Sequence, residues 1–380
     1  MTRRQFPLLL RRGRPLAKES LPSFVARLAQ LNYYDPVTII QTLLFEGQEK
    51  DKLEWPSKGM TYERLFDLTW LDPLRLHDTT GHHFAEVLTP LEMTVELLHM
   101  PGKKSLTVLP RKIAQQQLRP AHAVQFCPLC LRRTPYHRID WMPIAASACI
   151  THKRMLVDRC PGCQKRVSVR EIIEQCRCRK CGADFREADS AWLGKDDFGL
   201  LSQRFIRWCL GLGRVPTDSL PRKLSPRSFR AVLYFFTGLV DTIKLLGSGW
   251  KHLYQPVTYL SLEPFDRIRG RPTPDQSYRL YATAFKALVR WPQGFYEFLD
   301  AYKQRDNRRG KEGLFNDLGR LYTKWLSDRW LDPEFDFVQR AFSQYLVDTY
   351  VTTKREDRRE SPKATDFINR RAAGRLLGVS

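Results

Sequence analysis

The sequence predicts a mainly α-helical fold in three parts, with helical regions on either side of a small cysteine-rich module. Three observations carry that reading. Eight of the nine cysteines fall between Cys127 and Cys181. The flanks repeat helix-start signals and place apolar residues at helical spacing. A chain of 380 residues, 42% of them hydrophobic, is too long for one ordinary core and too apolar for disorder. The expected organisation is a basic arm and helical, helix-turn-helix-like domain over 1–125, the cysteine module over 126–190 and a C-terminal helical domain over 191–352. A charged linker and the start of an incomplete helix-turn-helix-like motif fill 353–380.

In the first region Ser20 precedes Leu21-Pro22. Asp35-Pro36, Asp72-Pro73 and Thr89-Pro90 each set a capping side chain before a proline at the first helical position. Leu21, Phe24, Val25, Leu28 and Leu31 then recur on one helical face and read as core. The arm ahead of them carries Arg3, Arg4, Arg11, Arg12 and Arg14, candidate contacts to nucleic acid or to an acidic partner.

The module reads in pairs: Cys127-Pro-Leu-Cys130, Cys149-Ile-Thr-His152, Cys160-Pro-Gly-Cys163 and Cys178-Arg-Lys-Cys181. Paired thiols of this kind in a chain without an export signal are metal ligands rather than disulfides. A closed zinc site wants four N or S donors at tetrahedral corners, and each two-residue spacer puts two of them on one side of an ion. The simplest assignment gives one zinc to Cys127, Cys130, Cys149 and His152 and a second to Cys160, Cys163, Cys178 and Cys181. Spacing alone leaves a crossed pairing open, and Cys176 is either spare or exchanges with Cys178. Gly162 and Gly182 suit the tight backbone of such turns. Apolar residues look sparse between Cys127 and Arg186, so metal is expected to stabilise the fold, each ion supplying roughly 10–16 kcal/mol of apparent binding free energy. Eight donors for two ions leave no position for water, and neither His82-His83-Phe84 nor His122-Ala-Val opens a catalytic zinc pattern. The zincs are expected to be structural and the chain not an enzyme.

Beyond Arg186, Ser225-Pro226 opens a long helix with Phe229, Val232, Leu233, Phe236, Leu239, Val240, Ile243 and Leu246 on one face, ending at Gly247. Further amphipathic stretches run from Tyr278 to Val289, Leu314 to Leu326 and Phe335 to Leu346, with Trp291-Pro292 breaking one helix from the next. Cys209 follows Phe205 and Ile206 on such a face and is a core cysteine. Lys354 to Lys363 reads as a linker. The segment from Asp366 to Ser380 then resembles the first helix and turn of a helix-turn-helix, with Arg370, Arg371 and Arg375 as candidate contacts. A recognition helix should begin where the sequence stops, so the sequence is truncated after Ser380, the motif is incomplete, or the match is accidental.

Lys and Arg number 63 against 41 acids, a formal charge of +22. Seven thiolates on two Zn²⁺ ions subtract only about three of those charges. Such an excess points to a polyanionic partner. The longest nearly apolar run, Ala231 to Val240, is too short for a membrane span. The few apolar residues after Met1 make no export signal, so a cytoplasmic, nucleoid-associated protein is expected.

The run Phe126-Cys127-Pro128-Leu129-Cys130-Leu131, with Pro135-Tyr136, Arg138, Trp141, the Cys149/His152 pair, Leu156, Cys160-Pro161-Gly162-Cys163 and the Cys178/Cys181 pair before Gly182, resembles the TniQ family. Glu19-Ser20-Leu21-Pro22-Ser23-Phe24-Val25-Ala26-Arg27-Leu28 looks like that family's N-terminal signature. Trp291-Pro292 followed by Phe295 and Phe298-Leu299 is similar to a piece of its C-terminal helical region. Cys176 is a departure from the family pattern. The resemblance implies a TniQ- or TnsD-type adaptor that marks a transposon's insertion site on double-stranded DNA and recruits an AAA+ ATPase regulator of the transposase. Some such proteins read an attachment site directly; others ride on a CRISPR effector complex with its guide RNA. A homodimer is compatible with either. Arg138 and Trp141 match the motif and read as finger packing. The competing expectations are a zinc-ribbon enzyme acting on nucleic acid, with Asp196-Asp197 or Glu334 and Asp336 as its carboxylates, and a zinc-ribbon transcription or translation scaffold.

Overall fold

Ser20 and Pro22 start a helix where the sequence places one, and α1 runs Leu21–Leu31. In this computed structural model the described residues are 9–34, 39–45, 51–90, 93–99, 105–194, 198–213, 229–246, 271–304, 317–319, 321–326 and 336–352. The Ser20 side chain does not cap its own helix. Its hydroxyl lies 2.9 Å from His137 Nδ1, and the Ser20 N–H donates to His137 O at 2.9 Å, so tertiary partners replace the local cap. Leu21, Phe24, Val25 and Leu28 are buried with Leu65, Leu68, Leu76 and Leu106 in one core cluster. Ala26 points the other way, into the cluster of the cysteine module.

The fold is mainly helical. After α1 come α2 (Gly59–Thr69), α3 (Pro73–His77), α4 (Ala85–Leu88), α5 (Arg111–Gln117), α6 (Pro128–Arg133), α7 (Val169–Glu174) and α8 (Phe198–Cys209). Asp72 caps α3 as its sequence suggests, accepting from Leu74 N–H at 2.8 Å. Thr89-Pro90 does not open a helix. Thr89 ends α4, its hydroxyl donating to Ala85 O at 2.6 Å, and Pro90 cannot continue the ladder. A short antiparallel pair follows that the helical reading of this region omitted: β1 (Glu96–Leu98) against β2 (Leu106–Val108), with Leu97 opposite Thr107. Thr107 and Val108 are β-branched and favour the extended strand. Asp35-Pro36 lies outside the described residues.

The chain divides into two compact units, Met1–Pro216 with Arg269–Ala282, and Thr217–Ile268 with Thr283–Ser380. In the first, Phe205, Ile206 and Cys209 of α8 are buried, Cys209 as a core residue. In the second, Val232, Leu233, Phe236, Leu239 and Val240 of α9 (Phe229–Leu246) are buried as the apolar stripe requires. Phe235, off that stripe, is buried too, edge-on to Trp291 and Phe295, so the helix is covered on more than one side. Around the Trp291-Pro292 break, α10 (Pro274–Val289) gives way to α11 (Gln293–Gln304), and α12 (Asp336–Leu346) follows. The ends expected at Ser225-Pro226 and Gly247, Leu314 to Asn316 of the stretch to Leu326, and all of 353–380 lie outside the described residues. Among the described residues no helix is long and apolar enough to cross a membrane.

Two buried histidines give the first unit an acid limit. His82 Nδ1 accepts from Leu109 N–H at 2.9 Å, and its Nε2–H donates to Pro56 O at 2.7 Å. Burial holds His82 down to about 4 and His137 down to about 3. Both stay neutral in the folded protein while the unfolded chain protonates near 6.5. Stability is therefore complete above about pH 6.5 and lost as pH falls toward 4, by roughly 2–3 kcal/mol per histidine at about pH 4.5. Thermal midpoints across that window should fall, and fall less steeply in His82→Gln. A flat profile down to about pH 4.5 would contradict the neutral buried state.

Candidate metal centres

Two groups of donors form within the cysteine module. Sγ of Cys127, Cys130 and Cys149 converges with Nδ1 of His152 in the first, and Sγ of Cys160, Cys163, Cys178 and Cys181 converges in the second; within each group all ligand atoms lie within 4.8 Å of one another. The grouping follows chain order rather than the crossed pairing. Cys176 belongs to neither. It is a core residue beside Phe185, and burial pushes its thiol up to about 11.

Local structure explains how each donor is aimed. Cys127 is the residue before α6, Pro128 occupies the first helical position, and one turn of helix returns Cys130 to the same side. Cys149 ends β3 (Ala148–Cys149), which pairs with β4 (Arg154–Met155), and His152 stands in the tight turn between them. Each pair of the second group sits at the tip of a narrow ribbon. Arg159 bridges to Arg166 and Arg177 to Asp184, and the Cys160 and Cys178 N–H groups donate across their loops to Lys165 O and Ala183 O at 2.8 and 2.9 Å. In three of the four turns the residue after the second ligand has left-handed backbone: Lys153 at φ 49°, Gln164 at 58° and Gly182 at 75°. Only Gly182 announces that conformation in the sequence. Gly162 serves differently, since a Cβ there would lie 3.0 Å from Cys181 Sγ and 3.1 Å from Ala183 Cβ.

The spacings suit zinc. A tetrahedral ion with 2.3 Å bonds to sulfur separates two thiolates by about 3.8 Å and a thiolate from an imidazole nitrogen by about 3.6 Å. Cys130 and Cys149 are 3.8 Å apart, and the three sulfurs stand 3.3–3.6 Å from His152 Nδ1. In the second group Cys160–Cys181 is 3.4 Å and Cys163–Cys178 is 3.6 Å. Crowding pushes the Cys127 thiol far up, first through its hydrogen bonds to Cys130 and Cys149, then through burial. A divalent cation offsets that repulsion by displacing the protons. Four protein donors per group leave no place for a substrate water, the arrangement of a structural site.

The surroundings make the first group rigid. Arg138 donates to Cys130 Sγ at 3.7 Å while lying over the Trp141 ring, 5.9 Å from its centroid. Trp141 itself is buried. Two buried glutamines frame the loop that leads to Cys149: Gln125 Nε2 donates to the carbonyls of Trp141, Pro143 and Ala146, and Gln203 Oε1 accepts from Ser147 and Ala148 N–H. The module is less apolar-poor than its sequence suggests. Phe126, Leu131, Trp141, Leu156, Val167, Ile172 and Phe185 share one buried cluster with ligands of both groups. These residues are scattered singly between charges in the chain, and short bridges such as Phe126 with Val157 gather them.

Charge around the second group is partly internal, Glu174 pairing with Arg170 and Arg179, and Asp184 with Arg177 and Arg186. Of the other candidate contacts, Arg11 and Arg14 are exposed and Arg12 is half-buried. Arg3, Arg4, Arg370, Arg371 and Arg375 lie outside the described residues. So do Asp196, Asp197 and Glu334 of the enzyme alternative, while Asp336 pairs with Arg340 at 2.8 Å. Sequence reasoning passed over Asp140, Arg207 and Lys18. Asp140 is buried, accepts from Arg207 Nη2 at 2.5 Å and has Lys18 Nζ at 3.9 Å.

Comparison with known proteins adds one match. The family model described as TniQ covers residues 10–156, which takes in α1, the first donor group and Asp140 and stops short of the second group. No curated protein matches the chain.

Proposed function

Residues 10–156 assign this chain to the TniQ family, and from that premise we propose that it is a target-selection adaptor of a transposon. The family match is the observation that carries the reading, and it supports a transposition-associated role. The proposed protein binds double-stranded DNA, a CRISPR effector complex with its guide RNA, or both, and recruits the AAA+ regulator of the transposase. Two zinc ions brace it and perform no chemistry. It acts at the nucleoid, and a homodimer would present two such surfaces to the ATPase. The charge of +22 supports a polyanionic partner. The closed donor groups support a scaffold rather than a catalyst.

Pull-down of the cognate AAA+ protein, alongside gel shifts with target DNA, tests the reading; binding to neither would end it. Within it, direct recognition of an attachment site predicts a sequence-specific footprint from this protein alone. Recruitment through an RNA-guided complex predicts DNA binding that is weak and falls steeply with salt until the effector is added.

A further inference from the structure

Tyr33 and Trp70 share an unusual state. Both rings are exposed, at 85% and 65%, and both residues hold left-handed backbone, φ 56° and 59°. Tyr33 follows the end of α1, and Trp70 ends α2 with its N–H on Phe66 O at 2.6 Å. A bulky aromatic residue is disfavoured in that conformation, where glycine or asparagine is at home. Core burial does not explain the choice, because these rings lie on the surface.

An arginine lies over each ring. The Arg11 guanidinium is 5.4 Å from the Tyr33 centroid, and that of Arg12 is 3.5 Å from the Trp70 centroid. The arm that supplies them is fastened. Leu9 is buried in the core, Asn32 exchanges hydrogen bonds of 2.9 and 2.8 Å with the Arg11 backbone, and Arg27 Nη2 donates to Arg14 O at 2.7 Å. Arg11 and Arg12 are therefore placed on the two rings in advance of any partner. Tyr34, 51% exposed, adjoins them in the chain.

We propose that Tyr33, Arg11, Arg12 and Trp70 form a platform for an unpaired nucleic-acid strand, its bases stacking on the rings and guanidinium planes and its phosphates meeting the arginines. Unpaired bases offer free faces to aromatic rings, whereas the faces in a duplex are already stacked and its outside presents phosphates and base edges instead. Rings with arginine laid over them, on a chain of +22, match the first partner. Single-stranded RNA and melted DNA share this chemistry. The platform goes beyond target selection and does not depend on it.

The test is fluorescence anisotropy of the full chain with labelled oligo-dT, oligo-U and a duplex of matched length. Asparagine accepts left-handed backbone, so the double variant Tyr33→Asn/Trp70→Asn removes the rings while its thermal midpoint holds or rises. Single-strand affinity should drop by roughly tenfold or more, with duplex affinity changed by less than about twofold. Arg11→Glu/Arg12→Glu, altered at one exposed and one half-buried side chain, should lose single-strand binding as well. A preference for oligo-U or oligo-dT names the strand that the platform serves. Unchanged single-strand affinity in the asparagine variant, or an equal loss on duplex and single strand, overturns the proposal. Capture of the AAA+ protein by the same variant reports separately on target selection.

Discussion

Cys149→Ser is expected to lower bound metal from about two equivalents to about one and to unfold the chain around the first donor group. Cys149 ends a two-residue strand and is buried among Phe126, Leu131, Trp141 and Leu156. A serine oxygen there is a poor donor to zinc, and the remaining Cys127 and Cys130 thiolates would be left facing one another without a shared cation. The free energy at stake is on the order of 10 kcal/mol, comparable with the whole stability of an ordinary domain. Elemental analysis of natively purified protein, with limited proteolysis of the same samples, reads the outcome. Cys176→Ser is the control: a buried thiol outside both groups, whose replacement should leave the metal count unchanged. Two equivalents retained by Cys149→Ser, or one lost by Cys176→Ser, would refute the assignment of donors.

Asp140→Ala should be the most damaging substitution away from the sulfur ligands. Its carboxylate sits in the 3₁₀ turn Ile139–Trp141 and is buried, with Arg207 Nη2 at 2.5 Å, Arg138 Nε at 3.7 Å and Lys18 Nζ at 3.9 Å. Arg207 is itself buried, so deleting the carboxylate strands a guanidinium away from water. Breaking a buried pair in this way costs about 3–5 kcal/mol, which for a unit of this size lowers the thermal midpoint by roughly 10 °C. Lys18→Ala, at a side chain 43% exposed, should shift it far less. Equal shifts from the two variants, or none from Asp140→Ala, would mean that the network is not what joins α8 to the module.

The grouping of the cysteine module was the most legible part of the chain because covalent spacing places its donor atoms: two residues between donors put both on one side of a tight turn. Helix starts were legible where the capping side chain had no better partner, as at Asp72. They misled at Thr89, where the hydroxyl bonds backward to Ala85, and they gave Ser20 the right boundary with the wrong bond. Long-range polar partners left no trace in the sequence. Asp140 and Arg207 are 67 residues apart and Gln203 and Ser147 56 apart, and no local period marks either pair. Tyr33 and Trp70 were passed over for a different reason. Left-handed backbone is legible at glycine, and here it falls on aromatic residues.

The packing of α1 on α7 carries a consequence for synthesis. Gln30 Nε2 donates to Ile173 O at 2.9 Å across 143 positions of chain, and Ala26 lies within the metal module's core. A ribosome adding about 5–20 residues per second delivers α7 roughly 7–30 s after α1. During that interval the amphipathic segment 21–31 leaves the exit tunnel with one flank uncovered, and its seat is complete only when the rest of the cysteine module has arrived. On the proposed occupancy of the two donor groups, metal supply would set how long a newborn chain stays open to chaperone capture and proteases.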